Sequence, residues 1–171
     1  MRQRTLQLPE ATFGGYVDPA ETLATPFGNR VQTAFAMSDR GTADEAKAML
    51  TKAVAALKAD KAKTIDLINK GEGGFLDRDL YPFCSNISDG KNVALGNPNA
   101  KQLLGVDVRT TKDVNGKAFG QEFWEAYQKP EGEITEVSYM FVRPGPDKTP
   151  VPKVSFVTRV GDLGCGVGYY K

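Results

Sequence analysis

The sequence predicts an α+β domain, with an antiparallel sheet of about five strands and helices on one side of the sheet. Three observations lead to this prediction. Apolar residues around residue 50 recur with helical spacing, a shorter aromatic helical segment follows a hairpin pattern, and the last third of the chain alternates with a period of two. Short turns join the strand-like segments, as is typical of antiparallel sheets.

The first 38 residues differ from the rest of the chain. They are rich in Pro, Gly, Thr and Asn, and no helical or strand period is sustained through them. We therefore expect residues 1–38 to form an irregular N-terminal extension and residues 39–171 to form one domain.

The long helical pattern begins at a capping box. Thr42 stands three residues before Glu45, so each side chain can accept a hydrogen bond from the other residue's backbone N–H. The apolar residues that follow fall three and four apart on one face: Ala46, Met49, Leu50, Ala53, Val54 and Leu57. The stripe continues to Ile65 and Ile68 and ends at a group of glycines, which predicts one long helix.

A hairpin and a second helix follow. Residues 79–85 and 92–96 are predicted strands, and Asp89-Gly90 between them favours a tight turn because it tolerates positive φ angles. Residues 116–128 are a predicted crossover helix. Its aromatic residues fall four apart: Phe119, Phe123 and Tyr127.

The last three predicted strands are residues 137–142, 151–160 and 163–170. In the final strand every second residue is glycine, at positions 164, 166 and 168. A strip without side chains allows another group to approach the backbone closely. Packing of the long helix on this strip is the simpler explanation, and the floor of a small pocket is the alternative.

Composition excludes several functions. Lys and Arg total 22 against 21 Asp and Glu, a net charge of +1, which does not predict nucleic-acid binding. The chain has no histidine, which excludes a Ser-His-Asp or Cys-His catalytic site and a histidine-ligated zinc or haem. We therefore expect no enzymatic activity, no metal and no cofactor.

Cys84 and Cys165 lie 81 positions apart and cannot form a CxxC motif. They can pair in an oxidising compartment or remain separate buried thiols. We expect free thiols, because single cysteines in strand-like segments are usually packing residues.

Export and membrane signals are not recognisable. No segment approaches the roughly 18 consecutive apolar residues of a membrane helix. Ala34-Phe35-Ala36 resembles a cleavage site, but no apolar core precedes it.

One lysine and one cluster of charged residues are candidates for ligand binding or catalysis. Lys153 lies within a strand pattern, and an inward ammonium would need a partner such as a ligand carboxylate, while an outward one would be ordinary surface. Asp77-Arg78-Asp79 is a dense triplet that we interpret as a solvated ion cluster rather than a catalytic pair.

An ordered set of motifs resembles the single Cache domains of type two, which occur in bacterial sensing proteins. The resemblance covers residues 39–171. It rests on these residues in order: Gly41-Thr42-Ala43-Asp44-Glu45-Ala46, Phe75-Leu76-Asp77-Arg78-Asp79-Leu80-Tyr81, Asp89-Gly90-Lys91, Asn97-Pro98, Lys112-Asp113, Gly116-Lys117, Tyr139, Pro144, Lys153-Val154-Ser155 and Gly164-Cys165-Gly166.

The resemblance implies a PAS-like antiparallel sheet with a long N-terminal helix, an extracytoplasmic location and a pocket for short organic acids. It implies that Tyr81, Tyr139 and Lys153 line this pocket and that Ser155 belongs to it. The apolar walls would be Phe75, Phe83, Trp124 and Phe141. Phe141 stands where the family pattern suggests Trp, and Phe156 where it suggests Tyr, and each change removes a polar group.

We therefore expect a periplasmic or secreted sensory domain that binds a short carboxylate non-covalently and passes the signal through a partner. The alternative is a ligand-free interaction module that dimerises through the long helix.

Overall fold

The computed structural model describes residues 39–171. The extension predicted for residues 1–38 lies outside the described residues. Within the described part, no helix is both long and apolar enough to cross a membrane.

Five strands form a single antiparallel sheet. They are β1 (Pro82–Asn86), β2 (Asn92–Leu95), β3 (Thr135–Val142), β4 (Pro150–Val160) and β5 (Leu163–Tyr170). Their order across the sheet is β2-β1-β5-β4-β3, and every pair is antiparallel. The predicted α+β class with a five-stranded antiparallel sheet is confirmed.

The predicted long helix is two helices, so the prediction of a single helix is wrong. Helix α1 (Ala43–Ala59) and helix α2 (Lys61–Lys70) meet at Asp60, whose φ of −155° and ψ of 94° are extended. The Asp60 side chain accepts a hydrogen bond from the Lys63 backbone N–H and so caps α2. Helix α2 ends at Gly71, which takes the left-handed conformation at φ 68°.

The capping box that the sequence predicts at the start of α1 is confirmed. The Thr42 hydroxyl accepts from Glu45 N at 3.2 Å, and the Glu45 carboxylate accepts from Thr42 N at 2.8 Å. The buried residues of α1 follow the predicted stripe: Ala46, Met49, Leu50, Ala53 and Leu57.

The predicted β1–β2 hairpin is confirmed, with Gly90 at φ 73° in its turn. Strand β1 begins three residues later than predicted. Asp77 and Leu80 exchange backbone hydrogen bonds with each other in a local turn, which leaves the chain free to enter the sheet only at Pro82.

Two short 3₁₀ helices, Pro98–Leu103 and Val108–Thr110, lie between β2 and helix α3 (Phe119–Tyr127). Helix α3 is the predicted crossover helix, although it packs on the face of the sheet opposite to α1 and α2. The expectation that all helices share one side is therefore wrong. Successive residues of β5 point to opposite faces of the sheet. Val167 packs with α1 on one face, whereas Gly164 lies against the Tyr127 ring of α3 on the other, so helices cover both faces.

Cys84 and Cys165 form a disulfide bond, so the prediction of free thiols is wrong. The register of β1 and β5 places these two residues directly opposite each other, with their Cα atoms 4.1 Å apart. Both are fully buried in the core beneath α1 and α2. Pairing of residues so distant in sequence depends on strand register, which spacing alone does not reveal.

Candidate functional site

Lys153 lies in the middle of β4 with its side chain inside the protein, 1% exposed. It is paired across the sheet with Tyr139 of β3 on one side and Tyr170 of β5 on the other. The alternation that buries Ser155 and Val157 on the α3 side of β4 also directs Lys153 to that side. The inward orientation left open by the sequence is therefore the one observed.

The glycine strip of β5 makes room for side chains on the α3 side of the sheet. A Cβ at each glycine would overlap a different group: Tyr127 at Gly164, Phe83 at Gly166, and Lys153 with Ser155 at Gly168. The expectation that the long helix packs on this strip is wrong. Helix α1 instead packs against the opposite face of β5, to which the strand contributes the side chains of Val167 and Tyr169.

A cavity of about 30 Å³ lies between the sheet and α3. Its twelve lining residues are Tyr81, Phe83, Asn92, Leu95, Leu103, Val108, Thr111, Phe119, Phe123, Tyr139, Phe141 and Lys153. Most of this wall is aromatic or aliphatic. A space of this size holds about two water molecules.

The structure brings five of the eight predicted site residues together at this cavity. They are Tyr81, Phe83, Tyr139, Phe141 and Lys153. A sixth, Ser155, lies behind the wall, and its hydroxyl is 2.9 Å from the Tyr139 hydroxyl.

Phe75 and Trp124 do not line the cavity. Phe75 belongs to the core between the sheet and α1, where the Lys52 ammonium lies 4.8 Å from its ring centre. Trp124 packs at the edge of the aromatic core, and the Arg109 guanidinium lies 4.7 Å from its ring centre. Aromatic character alone does not predict either position, because the side of the sheet on which Phe75 packs and the part of the α3 surface that carries Trp124 depend on tertiary packing.

Several cavity residues were not predicted as site residues. Phe119 and Phe123 come from α3, and their spacing of four was a usable signal because it placed both on one helix face. Four others lie on β2 and the 3₁₀ segments and carried no signal: Asn92, Leu95, Leu103 and Val108.

The Tyr81 hydroxyl is saturated with hydrogen bonds. It accepts from Lys153 Nζ at 2.7 Å and from Asn97 Nδ2 at 3.1 Å. The Tyr170 hydroxyl lies 2.9 Å away and gives its own hydrogen to the Val142 carbonyl oxygen at 2.6 Å, so Tyr81 donates to Tyr170. Tyr81 therefore positions Lys153 and has no hydrogen left for a further acceptor.

The Lys153 ammonium is surrounded by aromatic rings. Their centres lie 4.2 to 5.8 Å from Nζ and belong to Tyr81, Phe83, Tyr139, Phe141 and Tyr170. Such contacts attract a cation, by about 0.5–2 kcal/mol each.

Lys153 has no ion-pair partner within residues 39–171. The buried carboxylate whose charge acts on it, Asp79, is held by Gly41 N at 2.7 Å and Arg143 Nε at 3.1 Å. Burial lowers the pKa of Lys153 to about 7, and the Asp79 charge opposes this shift.

Unused hydrogen-bond donors remain at the Lys153 end of the cavity. Within residues 39–171 Lys153 makes one side-chain hydrogen bond, to Tyr81, whereas an ammonium has three donors. The hydroxyls of Tyr139 and Ser155 share one hydrogen bond, and the second hydroxyl hydrogen has no acceptor among the described residues. Burial raises the pKa of Tyr139 well above its ordinary value, so it stays a neutral donor.

The described residues hold no group of three His, Cys, Asp or Glu side chains arranged to bind a metal ion. Asp77 forms an exposed ion pair with Arg78, at 3.1 Å, and Asp79 is engaged by Gly41 and Arg143. Asp79 is buried, so the interpretation as a solvated ion cluster is wrong for this residue and fits only Asp77 and Arg78. The hydrogen bond from Gly41 to Asp79 ties the start of α1 to the segment before β1.

A family model described as single Cache domain 2 matches residues 25–170 of the sequence. The chain belongs to this family. The match confirms the resemblance found in the sequence, and it begins ahead of residue 39, where the sequence predicts the domain to start. None of the curated proteins compared with the sequence is significantly similar to it.

Solved structures of chemotaxis and chemosensory proteins are similar to this chain. One is the periplasmic sensor domain of a chemotaxis protein, with 22% identity and a TM-score of 0.55, covering 86% of this chain and 99% of that one. Another is a methyl-accepting chemotaxis protein from Vibrio parahaemolyticus, with 21% identity and a TM-score of 0.58, covering 84% and 95%. A third is a Cache chemosensory domain described for carboxylic acid recognition, with 21% identity and a TM-score of 0.53, covering 92% and 99%. At these identities the likeness establishes the fold.

Proposed function

We propose that this Cache domain is an extracytoplasmic sensory domain that binds a small organic acid non-covalently and passes the signal through a partner. The observation that carries the proposal is the buried Lys153 ammonium, which faces a cavity without a carboxylate partner among the described residues. A buried charge without a partner is costly, and an anionic ligand would remove that cost.

The hydrogen-bond arrangement supports a carboxylate over other small polar groups. Among the residues that the structure describes, N–H donors of Lys153 and one hydroxyl hydrogen of the Tyr139–Ser155 pair have no acceptor. A carboxylate accepts hydrogen bonds only, so it matches this end of the cavity. An ammonium or guanidinium group would face Lys153 with the same charge.

The remaining walls support a short monocarboxylate. Phe119, Phe123 and Leu95 are among the apolar residues that line the cavity together with Lys153, and one cation compensates one negative charge. The cavity of about 30 Å³ requires side chains to move before an acid of several carbons can enter. We therefore expect affinity to fall with chain length and with a second carboxylate.

Two observations support an extracytoplasmic location and a sensory role. The Cys84–Cys165 disulfide is typical of proteins in oxidising compartments. The similar structures include a periplasmic sensor domain and a domain described for carboxylic acid recognition. No catalytic step is part of the proposal, because the polar groups at the cavity suffice for binding.

The test is a thermal-shift screen of short organic acids followed by titration calorimetry. We expect one or more monocarboxylates to raise the melting temperature and Lys153→Met to abolish their binding. Lys101→Met is the control, because Lys101 is a partly buried lysine that does not line the cavity, and its ammonium binds the Asn69 and Leu95 carbonyl oxygens. Unchanged binding in Lys153→Met would contradict the assignment.

The small size of the cavity favours a second candidate, a ligand-free module that dimerises through α1. Against it, none of the large exposed apolar residues of the described chain lies on α1: Leu76, Leu104, Val114 and Ile134. Sedimentation analysis of the wild type and of a variant with Lys47 and Lys58 changed to Glu distinguishes the two. A dimer that these changes dissociate, together with no hit in the acid screen, would favour the second candidate.

A further inference from the structure

The Lys153 amine differs from an ordinary lysine in three geometric respects. It is enclosed, it lacks a carboxylate partner among residues 39–171, and it lines a cavity. Lysines in such surroundings lose their proton easily, and the neutral amine is a nucleophile toward carbonyl carbon.

The groups that face the amine do not hold it permanently as a cation. They are the Tyr81 hydroxyl and the rings of Tyr81, Phe83, Tyr139, Phe141 and Tyr170. The rings favour the ammonium, whereas burial lowers the pKa of Lys153 to about 7 despite the charge of Asp79. Both protonation states are therefore populated at neutral pH.

We propose that Lys153 captures a small uncharged aldehyde of one or two carbons as an imine in the cavity. The size of the cavity, about 30 Å³, suits two or three heavy atoms better than a longer acid. The aromatic and aliphatic wall suits an uncharged guest, and this proposal goes beyond carboxylate binding because it uses the neutral form of the same amine.

The reaction balances without a redox partner. The neutral Lys153 nitrogen forms a bond to the aldehyde carbon, and the carbon–oxygen bond then breaks. The two hydrogens of the amine leave with that oxygen as one water molecule, which gives the neutral imine. One proton from solvent makes the product an iminium cation. That cation occupies the place of the ammonium, within the same five rings, which stabilise it.

The experiment treats the folded full chain with acetaldehyde and sodium cyanoborohydride at pH 7 and locates ethylated lysines by peptide mass spectrometry. At a pKa of about 7, half of the Lys153 amines are neutral. At the ordinary lysine value of about 10.4, only about one amine in 2,500 is neutral. We expect Lys153 to be ethylated at least ten times faster than the exposed lysines. It should also react faster than Lys101, which does not line the cavity and whose pKa burial lowers as well.

Two comparisons isolate the effect of the fold. The same reaction in urea should abolish the preference for Lys153, because the unfolded chain exposes all lysines alike. Lys153→Arg should remove the fast-reacting position without increasing ethylation elsewhere. Ethylation of Lys153 no faster than Lys101 in the folded wild type would overturn the proposal, whether the cause is protonation or a closed cavity.

A separate measurement tests carboxylate binding independently of imine formation. Titration calorimetry with acetate at pH 6, where Lys153 is mainly charged, tests anion binding alone. If acetate binds, an excess of it should also slow ethylation of Lys153 at pH 7. Rapid ethylation that saturating acetate does not slow would overturn the placement of the imine in this cavity.

Discussion

The two faces of the sheet are built from the same strands and have opposite characters. On the face covered by α1 and α2, large side chains and a disulfide fill the space, and the core is apolar. On the face covered by α3, β5 contributes three glycines before Tyr170, and side chains from other strands occupy the space that the glycines leave. Residues of the β5 segment Gly-Cys-Gly-Val-Gly alternate between the two faces. The comparison teaches that its Cys and Val stabilise the core on the α1 face, while its glycines leave space for the cavity on the α3 face.

The energetic balance differs between these faces as well. On the α1 face, burial of apolar surface and the cross-link both favour the folded state. On the α3 face, burial of the Lys153 charge opposes folding, and the aromatic rings offset part of that cost. Changes on the first face should alter stability alone, and changes on the second should alter stability and binding together.

The largest expected effect is removal of the disulfide. Changing Cys84 and Cys165 to Ala should lower the free energy of unfolding by about 2–5 kcal/mol, because the bond constrains the unfolded chain. Urea denaturation measures the loss, and the acid affinity of the folded variant should stay within about twofold of wild type. A large loss of acid affinity would contradict the independence of the two faces.

A methyl group on the glycine strip should affect both properties. In Gly168→Ala the new Cβ would overlap Lys153 Cε and Ser155 Oγ and would lie 2.9 Å from the Val154 carbonyl oxygen. We expect this overlap to lower the free energy of unfolding by about 1–3 kcal/mol. Denaturation and calorimetry should show lower stability and weaker acid binding. The control is Val167→Ala on the other face, which should lose stability by truncation and keep its affinity.

Stability should depend on pH through Lys153. Between its folded pKa of about 7 and the ordinary lysine value near 10.4, the unfolded chain binds more protons than the folded one. The free energy of unfolding should therefore rise with pH in this range, by at most about 1.4 kcal/mol per pH unit. Below pH 7 the cost of burying the charge is fully present.

Urea denaturation of the wild type and Lys153→Met at pH 6, 7, 8 and 9 measures this contribution. Other titrating groups cancel in the difference between the two proteins. The stability advantage of the Met variant should be greatest at pH 6 and shrink as pH rises. A difference that does not change with pH would show that Lys153 keeps an ordinary pKa.

The smallest expected effect is a difference in acid affinity between variants of two cavity tyrosines, Tyr139 and Tyr81. Tyr139→Phe removes a hydroxyl that can donate to a bound acid, directly or through its pairing with Ser155, and should weaken binding by about 0.5–1.5 kcal/mol. Tyr81→Phe removes a hydroxyl without a spare hydrogen, so it should lower stability more than affinity. Calorimetry and denaturation of both variants test this, and equal affinity losses would contradict the assigned hydrogen-bond directions.

The site was predictable in part. Lys153 and Tyr139 are neighbours across β3 and β4, and the family resemblance placed both at the pocket together with Tyr81. Phe75 was misplaced because an aromatic residue suits the core on either face of a sheet. The residues from β2 and the 3₁₀ segments could not be found, since their approach to the cavity depends on how the chain crosses from β2 to α3.

The sequence alone determined the features that arise within a few residues. The Thr42–Glu45 capping box, the Asp89-Gly90 turn and the alternation in β3, β4 and β5 are short-range patterns, and each is present as predicted. Tertiary structure decided the face on which each pattern lies, the pairing of Cys84 with Cys165 and the enclosure of Lys153. These depend on strand register and on helix packing, which join residues far apart in the chain and leave no mark in local spacing.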